Sequence, residues 1–260
     1  MQQLFILILG GVVGLHAACY GAYKDSPYET FKLTRFIREI VIGGFSALLV
    51  LLFTRSINSV HLAALFLSLL ACSRIITESY KLFIRIEPQE IYKIPSMVHV
   101  FRTVPTSRFQ RIAIALLLFI VLVLAAALAI LIHSSFPRHV SGAIIGLLIG
   151  SLTGFGGAYK DGFFEGFDLR KFFRSPTIGT MSGFFLSYLT DRPIFLFLAA
   201  CGLERMVVEF YKGFVKAKYV PGKFKFTKAR YPEYFTKRKQ LILPYAVTWI
   251  IFLALVFWRH

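Results

Sequence analysis

The chain has 260 residues, of which 57% are apolar, with a mean hydropathy of +0.67. That exceeds the roughly 45–50% apolar content of soluble domains and excludes a polar extramembrane body, pointing to an all-α, polytopic integral membrane protein. The formal net charge of +17 is compatible with nucleic acid, but its placement between apolar runs assigns it to a membrane surface and predicts no nucleic-acid partner.

The first apolar run, residues 4–20, carries Gly10 and Gly14 four residues apart. Small residues at that spacing form a smooth stripe on which a second helix can pack closely. No lysine or arginine precedes the run, so it reads as a retained helix, not a secretory signal. It ends in Gly21-Ala22-Tyr23-Lys24-Asp25, which recurs as Gly157-Ala158-Tyr159-Lys160-Asp161, a shift of 136 residues. Glu29, Phe31, Phe36 and Arg38 recur in the same register as Glu165, Phe167, Phe172 and Arg174, and Gly10, Gly14 and Gly43 as Gly146, Gly150 and Gly179. A shared register over glycines and charges marks an internal duplication. Residues 26–38 set an aromatic face beside a charged one, which predicts a short helix lying in the membrane interface.

Helices are then expected over 40–53, 60–71 and 112–132 in the first half, and over 140–156, 176–189, 194–200 and 241–258 in the second. Pro176 is expected at the first position of its helix, where its missing N–H is harmless. The count is eight transmembrane helices, as two parallel four-helix repeats over residues 1–134 and 135–260. Four spans return the chain to its starting side, so the repeats are expected to be related by a pseudo-twofold axis along the membrane normal. The segments 24–38, 74–111, 160–174 and 205–239 hold 26 of the 30 lysines and arginines, leaving only Arg55, Arg138, Arg192 and Arg259. By the positive-inside rule those basic loops are cytoplasmic, or on the equivalent side of an organelle membrane, and both termini are outside.

A second duplicated motif follows the third helix of each half: Arg74-x-x-x-Glu78-x-Tyr80-Lys81 and Arg205-x-x-x-Glu209-x-Tyr211-Lys212. On a continuous α-helix Arg74, Glu78 and Lys81 share one face. The two motifs together bring Lys24, Asp25, Glu29, Arg74, Glu78, Tyr80 and Lys81, and their counterparts Lys160, Asp161, Glu165, Arg205, Glu209, Tyr211 and Lys212, to one membrane depth. Charges within hydrocarbon must pair, face the bundle interior or reach the headgroups. Three uses follow: ion pairs that staple the helices of each half, a charged mouth for a small solute, or an enzyme site. In the last, Asp25, Glu29 and Glu78 would hold magnesium while the cations grip a phosphate. The transporter or channel for a small charged solute is the leading expectation. A membrane-embedded enzyme of lipid or isoprenoid-phosphate metabolism, and a non-catalytic or lipid-binding scaffold, are the alternatives. Because both copies keep every charge, both halves are expected to contribute equally.

No dedicated metal site is read from the sequence, and no cofactor is specified. His16, His61, His99, His133, His139 and His260 do not recur between the copies, and Cys19, Cys72 and Cys201 form no C-x-x-C pair. In the last basic loop Lys216, Lys218, Lys223, Lys225, Lys228 and Arg230 alternate with aromatic residues, a pattern that predicts contact with anionic lipid headgroups. An oligomer or larger complex is compatible with all of this.

Overall fold

The computed structural model describes residues 2–53, 60–216, 223–225 and 228–258. The protein is all-α. Eight long helices are described: α1 (Gln2–Glu29), α2 (Leu33–Phe53), α3 (Leu62–Ser79), α4 (Arg108–Ser135), α5 (Arg138–Glu165), α6 (Leu169–Leu186), α7 (Pro193–Phe210) and α9 (Ile242–Phe257). A single turn, α8 (Tyr234–Lys237), precedes α9. Five segments are long and apolar enough to cross a membrane: Gln3–Glu29, Leu62–Ile84, Arg108–Ser135, Arg138–Glu165 and Tyr234–Phe257. The shortest has 23 residues, more than the roughly 20 that about 30 Å of hydrocarbon requires.

α3 and α7 form the centre. Twelve of the eighteen α3 residues are buried, from Ala63 to Thr77. The helices cross closely because Gly202 has no side chain: a Cβ there would meet the Leu67 backbone. On one flank α1 packs on α2, where a Cβ at Gly10 would lie 2.6 Å from the Gly43 carbonyl oxygen and one at Gly14 2.6 Å from Ile40 Cα. On the other, α5 packs on α6 through Gly142, Gly146 and Gly150 against Gly179, Gly183 and Ser175. Backbones at this distance gain dispersion contact that any larger residue would forbid. The peripheral helices cross over: α4 packs on α5 and α7, while α9 packs on α1 and α3. In α9, Tyr245, Thr248, Phe252 and Leu255 are the buried residues, one helical stripe. Thr248 Oγ1 lies 2.8 Å from His16 Nδ1, and Phe252 packs on Phe66. α4 keeps only Arg111, Ala125 and Ala129 buried and presents the rest of its surface outward.

Helix boundaries differ from the sequence expectation in an instructive way. α1 runs through Lys24-Asp25 to Glu29, and α2 already begins at Leu33, so residues 26–38 form a corner between two long helices, not a separate interfacial one. Charged side chains do not interrupt a helix whose backbone bonds are satisfied. The chain turns at Thr30, with φ 68°, and at the equivalent Gly166, with φ 81°. Pro176 lies inside α6, not at its start; the helix starts seven residues earlier, where the Asp168 side chain accepts from the Arg170 and Lys171 N–H groups. That N-cap holds the Asp168 carboxyl below its ordinary value, the Lys171 backbone bond contributing most. A proline at position 176 leaves the Phe172 carbonyl without its helical donor, and Gly154 lets α5 approach that oxygen. α3 and α7 both end in a π-helical turn, Tyr80–Ile84 and Tyr211–Val215, closed by Arg85 N–H to Tyr80 O and Lys216 N–H to Tyr211 O, each at 2.9 Å. The i, i+4, i+7 register therefore stops at Tyr80, one residue short of Lys81.

Candidate functional site

At one end of the bundle, α1, the start of α2 and the end of α3 enclose a cavity of about 170 Å³. Nine basic side chains line it (Lys24, Lys32, Arg35, Arg38, Arg74, Lys81, Arg85, Lys160 and Lys223) with four acidic ones (Asp25, Glu29, Glu39 and Glu78).

The carboxylates are engaged by the protein itself. Glu29, buried in α1, accepts from Arg35, from the Tyr92 hydroxyl at 3.0 Å and from Lys223 Nζ at 3.1 Å. Lys223 also donates to Asp25 at 2.8 Å, and Lys24 lies 3.7 Å from the other Asp25 oxygen. Glu39 accepts from Arg38 at 3.0 Å and from Thr77 Oγ1 at 2.7 Å. Lys81 Nζ is 3.3 Å from Glu78. Beyond the wall, Glu87 accepts from Arg35 and Tyr92 and pairs with Arg85 at 2.7 Å. Burial, then the Glu29 and Glu87 carboxylates, raise the Tyr92 phenol far above its ordinary value, so it remains a donor to both.

Two loops close over the site. Lys223 reaches it because residues 223–225 are pinned to 91–94: Lys93 N–H donates to Lys223 O at 2.7 Å and Lys225 N–H to Ile91 O at 3.1 Å. Phe224 stacks between Tyr28 and Tyr92. His99 lies flat on the Tyr159 ring, its Nε2 is 3.2 Å from the Lys160 carbonyl, and Tyr159 donates to the His99 carbonyl at 3.2 Å. Burial holds the His99 imidazole below its ordinary value. The end of α1 is tied to the C-terminal segment by a consequence of Pro27. Lacking an N–H, Pro27 leaves the Tyr23 carbonyl free, and Arg238 donates to that oxygen at 3.2 Å while its guanidinium lies 4.4 Å from the Tyr23 ring centroid.

Seven of the fourteen candidate residues of the two motifs thus meet in one cavity, Lys24, Asp25, Glu29, Arg74, Glu78, Lys81 and Lys160, together with the duplicated Arg38. The others do not line it. Glu209 accepts from Arg74 at 2.5 Å, joining α7 to α3, so this pair bridges the two halves instead of stapling one. Glu165 pairs with Lys171 at 3.3 Å and Lys93 at 3.8 Å. Tyr80 lies beneath the Arg38 guanidinium, 5.1 Å from centroid to Cζ. Asp161, Arg205, Tyr211 and Lys212 stand outside the wall of this cavity. The magnesium set is not formed: Asp25 and Glu29 converge on Lys223 while Glu78 faces Lys81. Among the described residues no three His, Cys, Asp or Glu side chains are placed to hold one metal ion.

Of the basic residues expected at lipid headgroups, Lys223 is instead turned into the protein. Lys216, Lys225, Lys228 and Arg230 are exposed, and Lys218 lies outside the described residues. Sequence reasoning missed Glu39, Glu87, Tyr92 and the wall role of Lys223, none of which is duplicated. Only Glu39, a carboxylate directly before an apolar run, carried a local signal. No protein-family model matches the chain, and no curated protein or solved structure does.

Proposed function

We propose that the chain is a polytopic membrane protein of two parallel four-helix repeats that admits a small charged solute to this cavity for transport across the membrane. The carrying observation is the convergence of eight duplicated charged residues on one cavity. The repeat is supported by contacts in matching register. Gly14 against Ile40 corresponds to Gly150 against Pro176, and Gly10 against Ala47 sits 136 residues before Gly146 against Gly183. Each repeat's last helix packs on the other repeat, so neither buries its core alone. The basic loops lie on the cytoplasmic side in this reading, with both termini outside. Lys216, Lys225, Lys228 and Arg230 then face anionic headgroups.

A non-catalytic scaffold is the second reading, favoured by the pairing of all four wall carboxylates with protein cations. Current recordings on a solid-supported membrane separate the two. Jumps in the concentration of anionic and cationic solutes should give a saturable transient current in reconstituted wild type for one charge class. Lys81→Gln should reduce it. Traces indistinguishable from protein-free membranes across both classes would leave the scaffold.

A further inference from the structure

We propose that the cavity is a site for a phosphate-type oxyanion, either a free phosphate or the phosphate of a lipid headgroup. This rests on the reading of the cavity as a solute site and assigns the chemistry of its occupant. Three observations carry it.

The first is the charge balance. Nine cations line the wall against four carboxylates, and even counting Glu87 and Glu209, which neutralise wall arginines from behind, and Asp161, whose charge acts on Lys160, two positive charges remain uncompensated. The second is where the surplus sits. Among the described residues no carboxylate lies within ion-pair distance of Lys160 or Lys32, whereas every wall carboxylate already has a cation within 3.3 Å. An entering cation would have to displace one of those ion pairs, and an anion meets ammonium groups with no carboxylate to release. The third is unmet hydrogen bonding. The Nε–H groups of Arg38, Arg74 and Arg85 are buried and have no acceptor, and all three arginines belong to the wall. Buried donors without acceptors are costly; these three lie behind the cavity surface, so an oxyanion meets them only as the wall arginines turn toward it. The volume, about 170 Å³, equals that of roughly five or six waters, room for a phosphate with a small substituent. Low-dielectric walls of one net sign concentrate an anion further.

The test uses purified full-length protein in uncharged detergent, followed by thermal unfolding and calorimetric titration with sodium phosphate, chloride and putrescine. Parallel unfolding is measured in nanodiscs of phosphatidylcholine with and without phosphatidic acid. Phosphate should bind saturably and raise the unfolding temperature where chloride at equal ionic strength does not. Lys160→Gln should weaken that binding about tenfold, the loss of one charge-assisted contact, while the exposed Lys228→Gln leaves it unchanged. If Lys160→Gln fails to fold, Lys32→Gln, at an exposed wall position, serves the same comparison. Stabilisation by phosphatidic acid alone assigns the headgroup as the source of the same chemistry. Putrescine binding without phosphate binding keeps the solute cavity and overturns the anion. Phosphate binding equal in wild type and both cavity variants overturns the site. No response to any probe overturns both the site and the solute reading.

Discussion

Gly146→Ala puts the helix packing to a quantitative test. An alanine Cβ at this point would lie 2.8 Å from the Gly179 carbonyl carbon and 3.0 Å from the Gly183 nitrogen. Carbon atoms in good contact sit about 3.5–4.0 Å apart, so α5 and α6 must separate by roughly 1 Å. These two atoms and the Gly179 carbonyl oxygen, which the Cβ meets first, are all backbone, so no rotamer change relieves them. The same separation loosens the contacts at Gly142, Gly150, Gly179 and Gly183. Overpacking of this kind costs about 1–3 kcal/mol, and loss of the neighbouring contacts keeps it near the upper end. Alanine's better helix propensity returns about 0.5–1 kcal/mol, leaving a net loss of about 2 kcal/mol and a Tm lower by roughly 4–8 °C. Gly156, on the same helix, is the internal control: nothing lies within 4 Å of its added Cβ. There the propensity gain stands alone, and Gly156→Ala should raise Tm by about 2 °C. Thermal unfolding of both variants in one detergent reads the difference. Equal shifts, or no loss at Gly146, would refute the close α5–α6 crossing.

Arg74→Gln should destabilise by about 3–5 kcal/mol, because the buried Glu209 loses its hydrogen-bonded cation, and Arg74→Gln with Glu209→Gln should recover most of that loss in denaturant unfolding. Thr30→Gly should stabilise by about 1 kcal/mol by relieving a positive φ, while Gly166→Ala at the equivalent turn should cost about 1–3 kcal/mol. His99 is held neutral in the folded protein, so the unfolded chain binds the extra proton as pH falls below its ordinary value of about 6.5. Docking of residues 98–103 on α5 should be intact above that pH and weaken below it, seen as faster amide exchange, and His99→Gln should abolish the pH dependence.

The glycine stripes were legible in the sequence because small residues every four positions have one dominant use in apolar helices, and Gly10, Gly14, Gly146 and Gly150 all meet backbone. The charged motifs were legible as a group, since duplication singled them out. Their partners were not. Arg74 finds Glu209 135 residues away and Lys223 finds Asp25 198 residues away, and no local pattern encodes which distant charge a side chain will meet. Lys223 therefore looked like its neighbours in a basic, aromatic loop, although the stacking of Phe224 on Tyr28 and Tyr92 turns it inward. Helix ends were misplaced where hydropathy changed before hydrogen bonding did, at Lys24-Asp25 and at Pro176. The surroundings of the two motifs differ for a related reason: loop 91–94 and residues 223–225, which cover the first motif, have no duplicate.

The central claim is that the duplicated charges enclose a solvent-reachable cavity of net positive charge. It is tested most directly by thiol reactivity at its wall. In a background with Cys19, Cys72 and Cys201 replaced, Ala22→Cys lines the cavity and Ala63→Cys lies in the sealed core, where Ala63 has no exposed surface. The account predicts that Ala22→Cys reacts with small hydrophilic methanethiosulfonates, faster with the anionic than with the cationic reagent, and that Ala63→Cys reacts with neither. An Ala22→Cys thiol as inert as the one at position 63, or one modified faster by the cationic reagent, would contradict it.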